Sequence, residues 1–156
     1  MPLLYSQQLA GQASRPIIKP TDPAYGGRTY RFRSVINLAA IATTTFGTTQ
    51  VAAATTDWIQ LVTLPSGYVP DFGMITSSVS LGTSVVAIGT NAVHASNGQY
   101  RAAGTFTAAD TPTLFGLASM GALSALTIDT PVFLTIATAS LPSAGTLVVD
   151  IYANKP

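Results

Sequence analysis

The chain has 156 residues, enough for one domain that buries about 70% of its extended-chain surface around a single core. Only 8% of the residues are charged, against about 25% in an ordinary soluble domain, while 47% are hydrophobic. That balance excludes intrinsic disorder and leaves a lone monomer poorly protected against association. Cysteine is absent, which removes disulfides, thiolate metal sites and thiol nucleophiles together.

Glutamate is also absent, and the acids are Asp22, Asp57, Asp71, Asp110, Asp129 and Asp150. With few of the charged helix formers and many Thr, Val, Ile, Ser, Gly and Pro residues, the composition favours an all-β domain. Charge divides the chain in two. Residues 1–33 set Arg15, Lys19, Arg28, Arg31 and Arg33 against Asp22, a net of +4, whereas residues 34–156 carry a net of −3. Pro2, Pro16, Pro20, Pro23 and Gly26-Gly27 interrupt any periodicity in the first part, so residues 1–33 are expected to form a basic extended arm and residues 34–156 the body. The start, MPLLYSQQLAGQAS, lacks the basic region and sustained apolar stretch of a secretory signal, and no N-x-Ser/Thr acceptor occurs, so synthesis in a cytoplasm is expected.

From Tyr30 short strands are expected. YRFRSVIN alternates Tyr30, Phe32 and Ser34 with Arg31, Arg33 and Val35, which puts both arginines on one face. Residues 38–56 are rich in Ala and Thr and read equally as a strand pair broken at Gly47 or as a loop. A strand over 58–64 follows, with Trp58 expected in the core, closed by a type I turn with Pro65 second and Gly67 fourth. The charge-free run from Phe72 to Tyr100 is too rich in Ser, Thr and Gly for a membrane span; it is expected to hold a hairpin of strands 72–80 and 83–89 turning at Gly82. Asn97-Gly98 signals a second hairpin. Further strands are expected at 100–107, 113–118, 132–138 and 146–152, with one helical turn within 117–127. About eight strands at these intervals predict a two-sheet β-sandwich, the jelly roll being one such arrangement.

Catalysis needs convergent titratable groups, and the chain offers one histidine, His94, without a G-x-S-x-G elbow. Neither H-E-x-x-H, an EF-hand pattern nor a phosphate-binding G-x-x-x-x-G-K-[ST] loop occurs, so no enzyme, metal or cofactor is expected. The aromatic and basic stretch YGGRTYRFR could stack on single-stranded nucleic acid, but five cations beside an otherwise acidic body make a modest patch that favours a protein partner. The expected contact residues are Arg15, Lys19, Tyr25, Arg28, Tyr30, Arg31 and Arg33.

The stretches YGGRTYRFRSVINL, LPSGYVPDFGMITSSVSLGTSVVAIGT, GQYRAAGTFTAADTPTLFG, TPVFLTIATASLP and AGTLVVDIY resemble small virion proteins of tailed bacteriophages, the capsid decoration (cement) and head-accessory proteins. The resemblance spans residues 25–152 and implies a β-sandwich or jelly-roll body, commonly trimeric, that sits on the capsid surface and binds the major capsid protein. Rival expectations are another virion component, such as a head fibre base, tail tube or spike, and a carbohydrate-binding or adhesin module using Trp58, Tyr68 and Tyr100.

Overall fold

The computed structural model describes residues 28–41, 58–116, 120 and 124–155. Among the described residues eight strands occur: β1 (Arg28–Asn37), β2 (Trp58–Leu64), β3 (Val69–Ser77), β4 (Val85–Gly89), β5 (Arg101–Thr105), β6 (Thr113–Phe115), β7 (Thr130–Ala137) and β8 (Thr146–Lys155). They form two four-stranded antiparallel sheets, sheet A in the order β1-β8-β3-β6 and sheet B in the order β2-β7-β4-β5. Successive strands change sheet at every step except β4 to β5, which is the jelly-roll winding of a β-sandwich.

Period-2 alternation builds the core. In β8, Leu147, Val149, Ile151 and Ala153 point inward and are buried, and they meet Val132, Leu134 and Ile136 of β7, Val86 and Ile88 of β4, and Ile75 of β3. Each of the Val, Leu and Ile side chains contributes about 1.5–3 kcal/mol through removal from water. Gly73 is required by close approach: a Cβ there would lie 2.2 Å from Phe115 Cζ and 2.8 Å from the Asp150 carbonyl oxygen.

Several expectations are corrected. Strands β3 and β4 do not form a hairpin; they lie in different sheets, and the turn at Gly82 (φ +62°) carries the chain across the sandwich. The turn after β2 is shifted by one residue: the Tyr68 N–H donates to the Pro65 carbonyl, and Gly67 occupies the third position at φ +83°, the type II pattern that needs glycine there. Strands β4 and β5 do pair, but residues 90–100 link them as a folded loop, not as a tight turn at Asn97-Gly98. A helical turn, α1 (Leu38–Ile41), follows β1, where the Asn37 Oδ1 accepts the Ala39 N–H at 3.0 Å. The rest of 42–57 lies outside the described residues.

Candidate partner-binding surface

The two outward sheet faces differ in what covers them. On sheet B, the loop 90–99 folds back over β4 and β7. Asn97 Nδ2 donates to the Ala87 and Phe133 carbonyls, both at 3.2 Å, and to Thr135 Oγ1 at 3.0 Å, while Gln99 Oε1 accepts the Thr90 N–H at 3.0 Å. Gly89 makes room, since a Cβ would fall 1.9 Å from Gln99 Oε1. His94 belongs to the same arrangement, its Nδ1 lying 3.1 Å from the Oγ1 of buried Thr135. Trp58 is a correction: its register partner is Thr135, so it stands on this outward face and not in the core, with its ring edge-on to Phe133 at 5.2 Å.

The outward face of sheet A has no such loop over it among the described residues. Register places Val35 beside Val148 and Thr76; Arg33 beside Asp150, Met74 and Leu114; and Arg31 beside Tyr152 and Phe72. Val35 is 63% and Leu114 70% exposed. Phe72 and Tyr152 stack at 4.6 Å. The polar end of the face is a chain of hydrogen bonds, Thr29 Oγ1 to Asn154 Oδ1 at 2.7 Å and Asn154 Nδ2 to Asp71 Oδ2 at 3.3 Å.

At the centre of this face, Arg33 Nε and Nη2 donate to the two oxygens of Asp150 at 2.7 and 2.8 Å. Asp150 is fully buried whereas Arg33 is 44% exposed, so the guanidinium roofs the carboxylate. The hydrogen bonds and charge of Asp150 raise the Arg33 pKa above its ordinary value. The other half-buried arginine, Arg101, donates to the carbonyls of Val86, Gly104 and Thr105 beside the bulge between Val86 and Ile88, and burial lowers its pKa.

The sequence-predicted contact residues therefore separate. Arg15, Lys19 and Tyr25 lie outside the described residues, and Arg28 opens β1. Arg31 and Arg33 do share one face, as the alternation predicts. Of these, Arg31 is exposed and has no ion pair among the described residues, while Arg33 is committed to Asp150. Tyr30 points to the other side of β1, where it meets Tyr68 edge-on at 5.2 Å with Phe32 and Lys155 nearby. The expected boundary at residue 33 falls inside β1, so residues 28–33 belong to the sheet. Sequence reasoning missed Asp150, although a lone acid in the apolar run LVVDIY, opposite an arginine strand, is its signal.

No group of three or more metal-ligating side chains occurs among the described residues, and Trp58, Tyr68 and Tyr100 do not share a groove: they lie on the face of sheet B, at the Pro65–Tyr68 turn and in the core.

Three solved phage capsid structures contain chains of this fold. One, in the cyanophage Pam1 capsid asymmetric unit, aligns over 100% of both chains with a TM-score of 0.57 and 20% identity. One in the capsid of Ralstonia phage GP4 covers 84% of this chain and 85% of its own, with a TM-score of 0.56 and 18% identity. A third, in the acidic stable capsid structure of Helicobacter pylori bacteriophage KHP30, covers 83% and 90%, with a TM-score of 0.55 and 12% identity. By sequence the chain matches no family model and no curated protein.

Proposed function

We propose that the protein is a phage virion structural protein that decorates the capsid, binding the coat-protein lattice as a homotrimer and reinforcing it. The observation that carries this reading is the end-to-end likeness of its jelly roll to a chain of a phage capsid. The open apolar face of sheet A supports it, because interface centres are depleted of charge. Arg15, Lys19 and Tyr25 before β1 and Arg28 at its start would supply the foremost lattice contacts, since Arg33 is engaged within the body. On this reading residues 1–27 are the arm.

Attachment would be multivalent: each trimer repeats one weak contact, and a lattice of fixed spacing converts the repeats into avidity. Binding the closed shell and not dissociated coat subunits would favour the closed shell by mass action. The test is co-sedimentation of the purified protein with empty shells of the phage, together with its solution mass by light scattering. A stable trimer that saturates shell sites, and loses occupancy when Arg15, Lys19 and Arg28 are changed to Ala, is the expected result. A protein that ignores shells refutes decoration; one that binds purified tails instead belongs to the tail.

A further inference from the structure

The outward face of sheet A sets out what its occupant must bring. Beside the central Arg33–Asp150 pair it is apolar, made by Leu114, Met74, Phe72 and Tyr152, and its one exposed cation without an ion pair among the described residues is Arg31. A matching surface needs a projecting apolar side chain next to an acid.

The chain itself carries one. Besides Val35 and Leu114 on the face, the exposed large hydrophobic residues among those described are Val93 and Ile128. The loop around Val93 holds no acid, whereas Ile128, 70% exposed, adjoins exposed Asp129. Of the other exposed acids among the described residues, Asp110 sits between Ala109 and Thr111 with no large apolar neighbour in sequence, and Asp71 is on the rim of the face and bonded to Asn154. The Thr127–Asp129 loop is also held in shape. Leu126 exchanges backbone hydrogen bonds with Gly67 and Tyr68 at 2.7 and 2.8 Å, and the Ser66 N–H donates to Asp129 Oδ1 at 2.9 Å. A loop already fixed this way loses little freedom on docking.

We propose that this loop of one copy seats on the outward face of sheet A of a second copy, with Ile128 against the apolar side chains beside the Arg33–Asp150 pair and Asp129 paired to Arg31. Loop and face are different surfaces, so the contact is heterologous and repeats head to tail until a ring closes. This rests on the self-association part of the preceding reading and adds the surfaces that make it.

The test is a charge-exchange cycle on the full chain, with Arg31→Asp, Asp129→Lys and the double variant compared by light scattering over a concentration series. Each single variant is expected to weaken association about tenfold or more, and the double variant to recover most of it. Asp129→Asn, which keeps the Ser66 hydrogen bond, separates loss of charge from loss of loop shape. Because the chain has no cysteine, Arg31→Cys and Asp129→Cys give an independent readout: the two variants mixed and oxidised should form a covalent pair that neither forms alone. Single variants that keep the native mass, a double variant no better than the singles, or no covalent pair in the mixture would each overturn the proposal. So would an Arg31→Asp variant of native mass that loses shell binding, since the face would then belong to the coat protein. If the cycle closes while shells go unbound, this contact stands and decoration falls.

Discussion

Tyr100 offers a quantitative test of how the body is built. Its side chain is 1% exposed, and its hydroxyl has no hydrogen-bond partner among the described residues. Such a buried group costs about 1–3 kcal/mol, and Tyr100→Phe removes it while keeping the volume of the ring. The variant is therefore expected to equal or exceed the native protein in stability at pH 7. Burial also raises the phenol pKa from 10.0 to about 12. Between these values the unfolded chain has released the proton and the folded one has not, so native stability is intact below pH 10 and falls as pH rises to 12. Two pKa units correspond to about 2.7 kcal/mol, or about 2 after allowing for solvent screening. Urea unfolding of both proteins at pH 7 and then between pH 10 and 12 measures the difference, in which the other tyrosines cancel. A Phe variant less stable by more than about 1 kcal/mol at pH 7, or a gap that does not widen above pH 10, would refute the reasoning.

The ion pair on sheet A makes a sharper distinction between neighbouring arginines. Arg33→Ala should lower the melting temperature, because the fully buried Asp150 carboxylate loses both donors, whereas Arg31→Ala should leave melting unchanged; equal effects would count against the pairing. Asn97→Ala should cost about 1–3 kcal/mol in chemical denaturation and speed amide exchange in residues 90–99, since one side chain ties that loop to both β4 and β7. Gly73→Val should prevent accumulation of folded protein, judged by soluble yield and near-ultraviolet circular dichroism, because the added atoms meet Phe115 and the Asp150 backbone.

The strands were legible because they obey a local rule. YRFRSVIN alternates in sequence and in the sheet, and all eight expected strands have counterparts. Pairing was less legible, because a partner at long sequence separation leaves no mark in the strand itself. The run ITSSVSLGTSVVAIG looks like a hairpin locally, yet β3 pairs with β8 and β6, and β4 with β7 and β5. Trp58 was assigned to the core on mid-strand position, but it opens β2, and its alternation with buried Ile59 and exposed Gln60 puts it on the outward face. At the candidate site, clustering along the chain identified the arginines, while the identity of the one already engaged depended on an acid 117 residues away.

The missing charge between Phe72 and Tyr100 has two causes, and they bear differently on function. Strand β4 is covered on both sides by its own chain, the core on one and the loop 90–99 on the other, so charge is excluded there by folding alone. Strand β3 is different: Ile75 and Ser77 face inward, while Phe72 and Met74 lie outward beside Tyr152 and Asp150 on a face that no described loop covers. Folding gives no reason for that second set to be apolar, because an antiparallel sheet with one face to water ordinarily alternates polar residues outward. Keeping Asp150 fully buried beneath Arg33 at the centre of the same face also reduces the free charge a partner would have to desolvate. On the proposed reading, assembly and not folding accounts for the composition of sheet A's outward face. Substitutions there, such as Leu114→Asp at a 70% exposed position, should alter association while leaving melting nearly unchanged.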